Sequence, residues 1–301
     1  MLLLASLLGC APLLPGERVL GDELAALRID GDEGSLLGAS VAVGRLGEEP
    51  ALAAFAPGAG EVRLFGLQGQ PLRVIELGEA RQLSLAFEGG LLYLLIPGTG
   101  LLLHDEDGER ERVEDPLSTA MAFCPDGELR LLAAPGGALA CGPQGQDLRA
   151  QDCDGSRCEV LLDGVPVGDG SPGSAVGFHG SLACWGRAAL EEELAGGGVV
   201  CTDGRALQGE AEEHLGLALG GGRVAGRVSK ALRPTRARLP HLDGGLTWTV
   251  DVAVEASGLA LAQGDGQIAV GVPGYPGRSS GEGRVYLVDE DDAAAAEEAA
   301  R

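Results

Sequence analysis

A short apolar run closed by a glycine or proline turn recurs along this chain at a nearly constant interval. The runs are ASVAVG around Ala42, LSLAF around Ala86, AMAF around Ala122, SAVGF around Gly177, LGLALG around Ala218 and GLALAQG around Ala260. Successive spacings are 44, 36, 55, 41 and 42 residues. A second apolar run follows each turn, and four of these stop alike, at Ala56-Pro57-Gly58, Ile96-Pro97-Gly98, Ala134-Pro135-Gly136 and Val272-Pro273-Gly274. Proline cannot donate to a strand ladder and glycine accepts turn dihedrals, so Pro-Gly is a strand stop. Third runs follow in EVRLFG, GLLLHDEDG and GRVYLVDE, and fourth runs in PLRVIELG and CEVLLDG.

Four strands per unit, repeated at this period, describe an all-β chain folded as a β-propeller. Six four-stranded blades are expected, with room for a seventh in the interval between Ala122 and Gly177. The last unit stops after its third strand, Arg284 to Val288, and the first is preceded by a spare strand, Glu23 to Ile29. That N-terminal strand is expected to complete the last blade and close the ring, which removes open sheet edges. A β-sandwich or a solenoid is the competing architecture. The 51 glycines among 301 residues suit many short, turn-rich strands and not long helices.

The first ten residues, MLLLASLLGC, are too short to span a bilayer, which takes about 20 apolar residues. Leu7-Leu8-Gly9-Cys10 resembles the bacterial lipobox, whose cysteine becomes the lipidated first residue of the mature protein. No basic n-region precedes it, which leaves room for a start upstream. Ala11 in place of an aspartate implies the outer membrane under the common sorting rule. The reading is a signal peptide over 1–9, an anchor linker over 10–22, one propeller over 23–288 and an acidic, Ala-rich tail over 289–301. The tail, DEDDAAAAEEAAR, is either an aspartate-capped helix or disordered, and no function is expected of it.

Six cysteines follow the anchor: Cys124, Cys141, Cys153, Cys158, Cys184 and Cys201. An even count in an exported chain points to disulfides, with 15 pairings open. Cys153 and Cys158 bracket a short turn, Cys184 and Cys201 end neighbouring apolar runs, and Cys124 with Cys141 would complete a sequential pattern. The absence of CxxC spacing argues against a metal centre.

The last unit, SGLALAQGDGQIAVGVPGYPGRSSGEGRVYLV, resembles the FG-GAP repeat of the integrin α-subunit propeller and its bacterial relatives. Ile268-Ala269-Val270-Gly271-Val272-Pro273 and Gly283-Arg284-Val285-Tyr286 occupy the matching places, as Leu37-Gly38-Ala39-Ser40-Val41-Ala42-Val43-Gly44 does in the first unit. The resemblance implies a calcium loop between the first two strands of a unit. The turns here, such as FEGGLL, FHGSL and GGGRV, lack the carboxylates that calcium needs. Asp105-Glu-Asp107-Gly and Asp152-Cys-Asp154-Gly read as acidic turns.

Catalytic patterns are weak. Gly277-Arg-Ser279-Ser-Gly281 fits G-x-S-x-G but sits in a Gly/Ser/Pro loop, not a strand-turn-helix. Gly168-Asp-Gly170-Ser-Pro-Gly173 fits G-x-G-x-x-G without a following helix. The four histidines, His104, His179, His214 and His241, are scattered and read as surface or strand-end residues. RAALEEEL, from Arg187, is a short helix or a loop, and the basic stretch Arg223 to Arg238 is a docking patch or a solvated strand face.

With 22 basic against 45 acidic residues, net −23, the surface repels nucleic acid. Ten aromatics argue against a sugar-binding platform. The expectation is a monomeric, lipid-anchored module without catalytic activity, cofactor or metal, binding an envelope protein or polymer. Its rivals are a hydrolase or lyase with residues such as His104, His179 or His214 converging on the channel, and a calcium-dependent adhesion module.

Overall fold

Short apolar runs between turns dictate strands, and the computed structural model shows 27 strands and one helix among the described residues. It describes residues 17–22, 24, 26–154, 156–187, 196–209, 214–220, 222–226, 235–252, 258–273 and 281–300. Cys10, the lipobox, nearly all of RAALEEEL and the G-x-S-x-G loop lie outside the described residues. Among those described, no helix is long and apolar enough to cross a membrane.

Two N-terminal strands, β1 (Glu17–Val19) and β2 (Leu27–Asp30), precede the repeats. The first blade is β3 (Ser40–Leu46), β4 (Glu49–Ala56), β5 (Glu61–Gly66) and β6 (Pro71–Glu76), and the second is β7 (Ser84–Glu88), β8 (Leu91–Ile96), β9 (Gly100–His104) and β10 (Glu109–Glu114). The third ring position holds only a hairpin, β11 (Ala120–Phe123) and β12 (Leu129–Leu132). The fourth is a full blade, β13 (Ala138–Cys141), β14 (Asp147–Gln151), β15 (Cys158–Leu162) and β16 (Val165–Gly170). The fifth is β17 (Val176–His179), β18 (Leu182–Gly186), β19 (Gly198–Cys201) and β20 (Ala206–Gln208).

The sixth position divides into a hairpin, β21 (Ala218–Gly220) with β22 (Arg223–Ala225), and a sheet of β23 (Thr235–Leu239), β24 (Thr247–Val252) and β1. A single bridge, Arg223 to His241, joins the two parts. The last blade is β25 (Ala260–Gly264), β26 (Gln267–Val272), β27 (Arg284–Asp289) and β2. Helix α1 (Glu290–Ala300) ends the chain. The fold is therefore a propeller of six blades with four or more strands, plus one truncated unit.

Two expectations change. The unit at Ala122, read as a four-stranded blade, is the hairpin, and the long interval that left room for a seventh unit holds a complete blade, β13 to β16. The segment read as an anchor linker also contributes β1, which adds to β24 in parallel.

Closure follows the expected route: β2 pairs antiparallel with β27, with Leu27 opposite Leu287 and Ile29 opposite Val285. Arg284 ion-pairs with Asp30 across that seam. Inner strands β3, β7, β11, β13, β17, β21 and β25 succeed one another around a central channel, and β25 packs back on β3.

Glycines set how closely those strands approach. A Cβ on Gly44 would lie 2.4 Å from Phe87 Cβ in the second blade, and one on Gly264 would lie 2.4 Å from the Val43 carbonyl oxygen. Faces between blades are filled by small and branched side chains. Phe55, Leu64, Leu92 and Leu94 are buried between the first and second blades, and Trp248, Val250, Val270 and Val272 between the sixth and last. Each buried Leu or Val contributes roughly 1.5–3 kcal/mol, which lets a chain poor in aromatics hold a ring.

Candidate functional site

Three disulfides brace the ring, and they take the sequential pairing: Cys124–Cys141, Cys153–Cys158 and Cys184–Cys201. The first ties the end of the truncated hairpin to the inner strand of the next blade, where outer strands are missing. The second closes the turn between β14 and β15. The third joins register partners on β18 and β19. The carboxylates of Asp126 and Glu128 lie close to Cys124 Sγ, but that sulfur is spent in the disulfide and Glu128 pairs with Arg130 at 3.2 Å.

The channel mouth, about 430 Å³, is lined by the starts of the inner strands. Ser40, Ser84, Thr119 and Ser174 supply hydroxyls among alanines, valines and leucines. No titratable side chain lines it among the described residues. None of the four histidines stands on this wall.

Chemistry-bearing side chains gather instead at the opposite ends of the blades. His179 ends β17, and His241 and Asp243 lie in the turn between β23 and β24. The two imidazoles meet edge to face, with centroids 5.5 Å apart. His179 Nε2 lies 2.7 Å from Asp243 Oδ2, and Asp243 is also held by Arg205. The hydrogen bond from His179 holds the Asp243 carboxyl below the ordinary carboxylate range. The Asp243 amide donates to His241 Nδ1 at 3.2 Å, so the neutral His241 ring carries its proton on Nε2. Burial, then the nearby Arg223 charge, lowers the His241 pKa. Gly222 permits the meeting, since a Cβ there would lie 2.5 Å from His241 Nε2.

Beside this cluster, α1 covers a cleft of about 530 Å³ bordered by Arg223, His241, Trp248, Glu290 and Glu297. Arg223 is buried, stacks 3.7 Å over Trp248 and donates to the carbonyls of Leu239 and Leu246 at 2.9 and 2.8 Å. Glu297 of α1 ion-pairs with it and accepts the Leu246 amide at 2.8 Å. Burial, only partly offset by Glu297, lowers the Arg223 pKa to about 10.

These contacts correct several sequence readings. His179 and His241 are not scattered, though 62 residues separate them. Nothing local signals their meeting, because it depends on which turns share an end of the ring. The basic stretch divides where it is described: Arg223 is internal, while Arg236 and Arg238 stand on the partly exposed face of β23, opposite buried Ala237 and Leu239, and pair with Asp251 at 3.3 Å and Glu17 at 3.0 Å. Residues 227–234 lie outside the described residues. The tail is helical and buries Ala293.

His104 is buried with neither ring nitrogen hydrogen-bonded, and burial lowers its pKa. His214 adopts a left-handed φ of 44°. The G-x-G-x-x-G match is spent on packing, with Gly168 against the Trp185 ring. Asp105 and Asp154 cap acidic turns: Asp105 Oδ1 accepts the amides of Asp107 and Gly108, and Asp154 Oδ1 those of Ser156 and Arg157.

No protein-family model matches the chain, and no curated protein does. Solved structures do. The chain is similar to virginiamycin B lyase from Staphylococcus aureus, at 8% identity over 88% of this chain and 99% of that one, with a TM-score of 0.58. A streptogramin B lyase structure matches at 8% identity over 87% and 97%, with a TM-score of 0.55. Hydrazine synthase from Kuenenia stuttgartiensis matches at 11% identity over 69% and 78%, with a TM-score of 0.50. At these identities the likeness establishes the propeller fold alone.

Proposed function

We propose that this protein is a monomeric binding module without catalytic activity, held at a membrane surface through a lipid on Cys10 and working in an oxidising, extracytoplasmic compartment. The observation that carries the reading is the channel wall, which offers hydroxyls and apolar groups where a propeller enzyme would place converging acids and bases. The polar cluster at the opposite ends of the blades supports the same reading. Asp243, Arg205, Arg223 and Glu297 are engaged with one another or with backbone and fix turns and α1 in place. Three disulfides fit the compartment, because such bonds persist where the redox poise is oxidising. The net charge of −23 disfavours nucleic acid as the partner.

Crosslinking in intact cells, with recovery of tagged protein and of a Cys10→Ala control, tests the proposal. One envelope protein or polymer recovered reproducibly, and lost from the control, is the expected result. Recovery of the bait alone would remove the reading. A catalytic reading has one observation in its favour, the pairing of His179 with Asp243 beside a cleft. It requires turnover of a substrate that disappears in His179→Gln.

A further inference from the structure

The truncated third position leaves one strand edge that differs from the others. Beyond β12 there is no further strand among the described residues, so an edge that other blades place second from the axis is open. The phase of the ladder says which groups it presents. The Cys124 amide donates to the Glu128 carbonyl at 3.0 Å, and hydrogen-bonded pairs alternate with non-bonded ones along an antiparallel ladder. Ala122 with Arg130 and Ala120 with Leu132 are then the bonded pairs. Leu129 and Leu131 turn both their amides and their carbonyls outward.

Outer edges of four other blades carry features that discourage pairing. Strand β6 begins at Pro71 beside a register shift, and β16 contains Pro166 and another shift. Strand β10 reads ERERVE, with a shift between Glu109 and Glu111, and β20 has only three residues. Strand β12 reads LRLL, pairs with β11 in unbroken register and holds no proline.

Its surroundings specify a ligand. Leu131 is 40% exposed, and Val113 is 41% exposed on the face of the second blade where its register partner Leu101 packs with Leu129, which gives the notch an apolar side. Glu111, on the same face of β10 as Val113, and Asp126 and Glu128 in and beside the hairpin turn are exposed around it. Arg130 of β12 is already engaged with Glu128 and Asp147.

We propose that β12 is a strand-accepting edge that takes an extended segment of a partner protein, with apolar residues alternating with lysine or arginine, as the third strand of the truncated blade. Main-chain bonds to Leu129 and Leu131 supply the pairing, and the acidic surround selects basic side chains. The inference rests on the binding-module reading and names its partner's chemistry.

The test uses a short capped Lys-Val-Lys-Val-Lys-Val peptide as probe, a Glu-Val-Glu-Val-Glu-Val peptide as control, and amide exchange at Leu129 and Leu131 as readout. The expected result is about tenfold slower exchange at both amides with the basic peptide only, weakening as salt rises. Leu131→Pro removes an outward amide without removing a bond to β11, and Glu111→Lys reverses an exposed charge. Each should reduce the protection while leaving the melting temperature of the unliganded protein nearly unchanged.

Absence of protection, or equal protection by the acidic peptide, overturns the proposal. So does a dimer of this chain that dissociates in Leu131→Pro, since the occupant would then be a second copy. A partner crosslinked in cells and still retained by Leu131→Pro overturns the edge proposal and leaves the module reading standing. Failure of the wild-type protein to crosslink any partner removes that reading itself.

Discussion

Glu297 in the C-terminal helix forms an ion pair with Arg223, a residue 74 positions earlier whose guanidinium is buried over the face of Trp248. An alanine-rich tail thereby becomes a structural latch between the sixth and last blades. Removing one partner of a buried pair leaves an uncompensated charge, which costs about 3–5 kcal/mol. Glu297→Ala should lower stability by about that amount in urea unfolding. Arg223→Met combined with Glu297→Leu should lose much less, because no charge is stranded. Equal losses in the two variants would show that α1 docks through its apolar contacts alone.

The disulfide Cys124–Cys141 spans 17 residues of sequence and anchors the hairpin that lacks outer strands. Closing a loop of that size is worth roughly 3 kcal/mol in the unfolded-state model. Replacing both cysteines with serine should cost about that much. Amide exchange should then quicken first in β11 and β12, ahead of the full blades. Uniform quickening around the ring would contradict a local role.

Acidification should destabilise the fold in two steps. His104 and His241 both have pKa values lowered by burial from the ordinary 6.5. Their neutral forms are favoured in the native state, so their contribution is complete above pH 6.5. It is lost as pH falls from there through the folded pKa values, because the unfolded chain takes up protons first. Asp243, held low by His179, adds a second loss below the usual carboxylate range. Melting temperatures between pH 7 and pH 5 should fall, and His104→Phe should flatten that slope. An unchanged slope would mean that His104 does not contribute to it.

Chelation should have no effect. The one grouping of potential ligands among the described residues includes Cys124, whose sulfur is disulfide-bonded, and Asp126, whose carboxylate accepts the Glu128 amide at 3.0 Å. Melting temperature should be the same in EDTA and in millimolar calcium. A rise with calcium would favour the adhesion reading that the FG-GAP resemblance implies.

Strand rhythm and ring closure were legible in the chain because each rests on local chemistry, namely apolar runs, Pro-Gly stops and the spare strand before Asp30. The position of the truncated unit was not. Ala134-Pro135-Gly136 reads like the Pro-Gly stops after Ala56 and Ile96, where the chain turns within a blade. Here the chain instead returns to the axis and starts β13, and the turn itself has the same local chemistry in both places. The disulfide candidates were visible as sequence neighbours. The cluster of His179 and His241 was not, because the order of turns at one end of the ring brings it together. The tail's docking rests on Ala293 and Glu297 within an otherwise featureless run.

Mass mapping of the protein taken from its own cells, with thiols blocked before and after reduction, tests the account most directly. An anchored propeller working outside the cytosol predicts a lipid-modified Cys10 and Cys124–Cys141, Cys153–Cys158 and Cys184–Cys201 each recovered as a linked pair. An unmodified Cys10 together with six free thiols would contradict it.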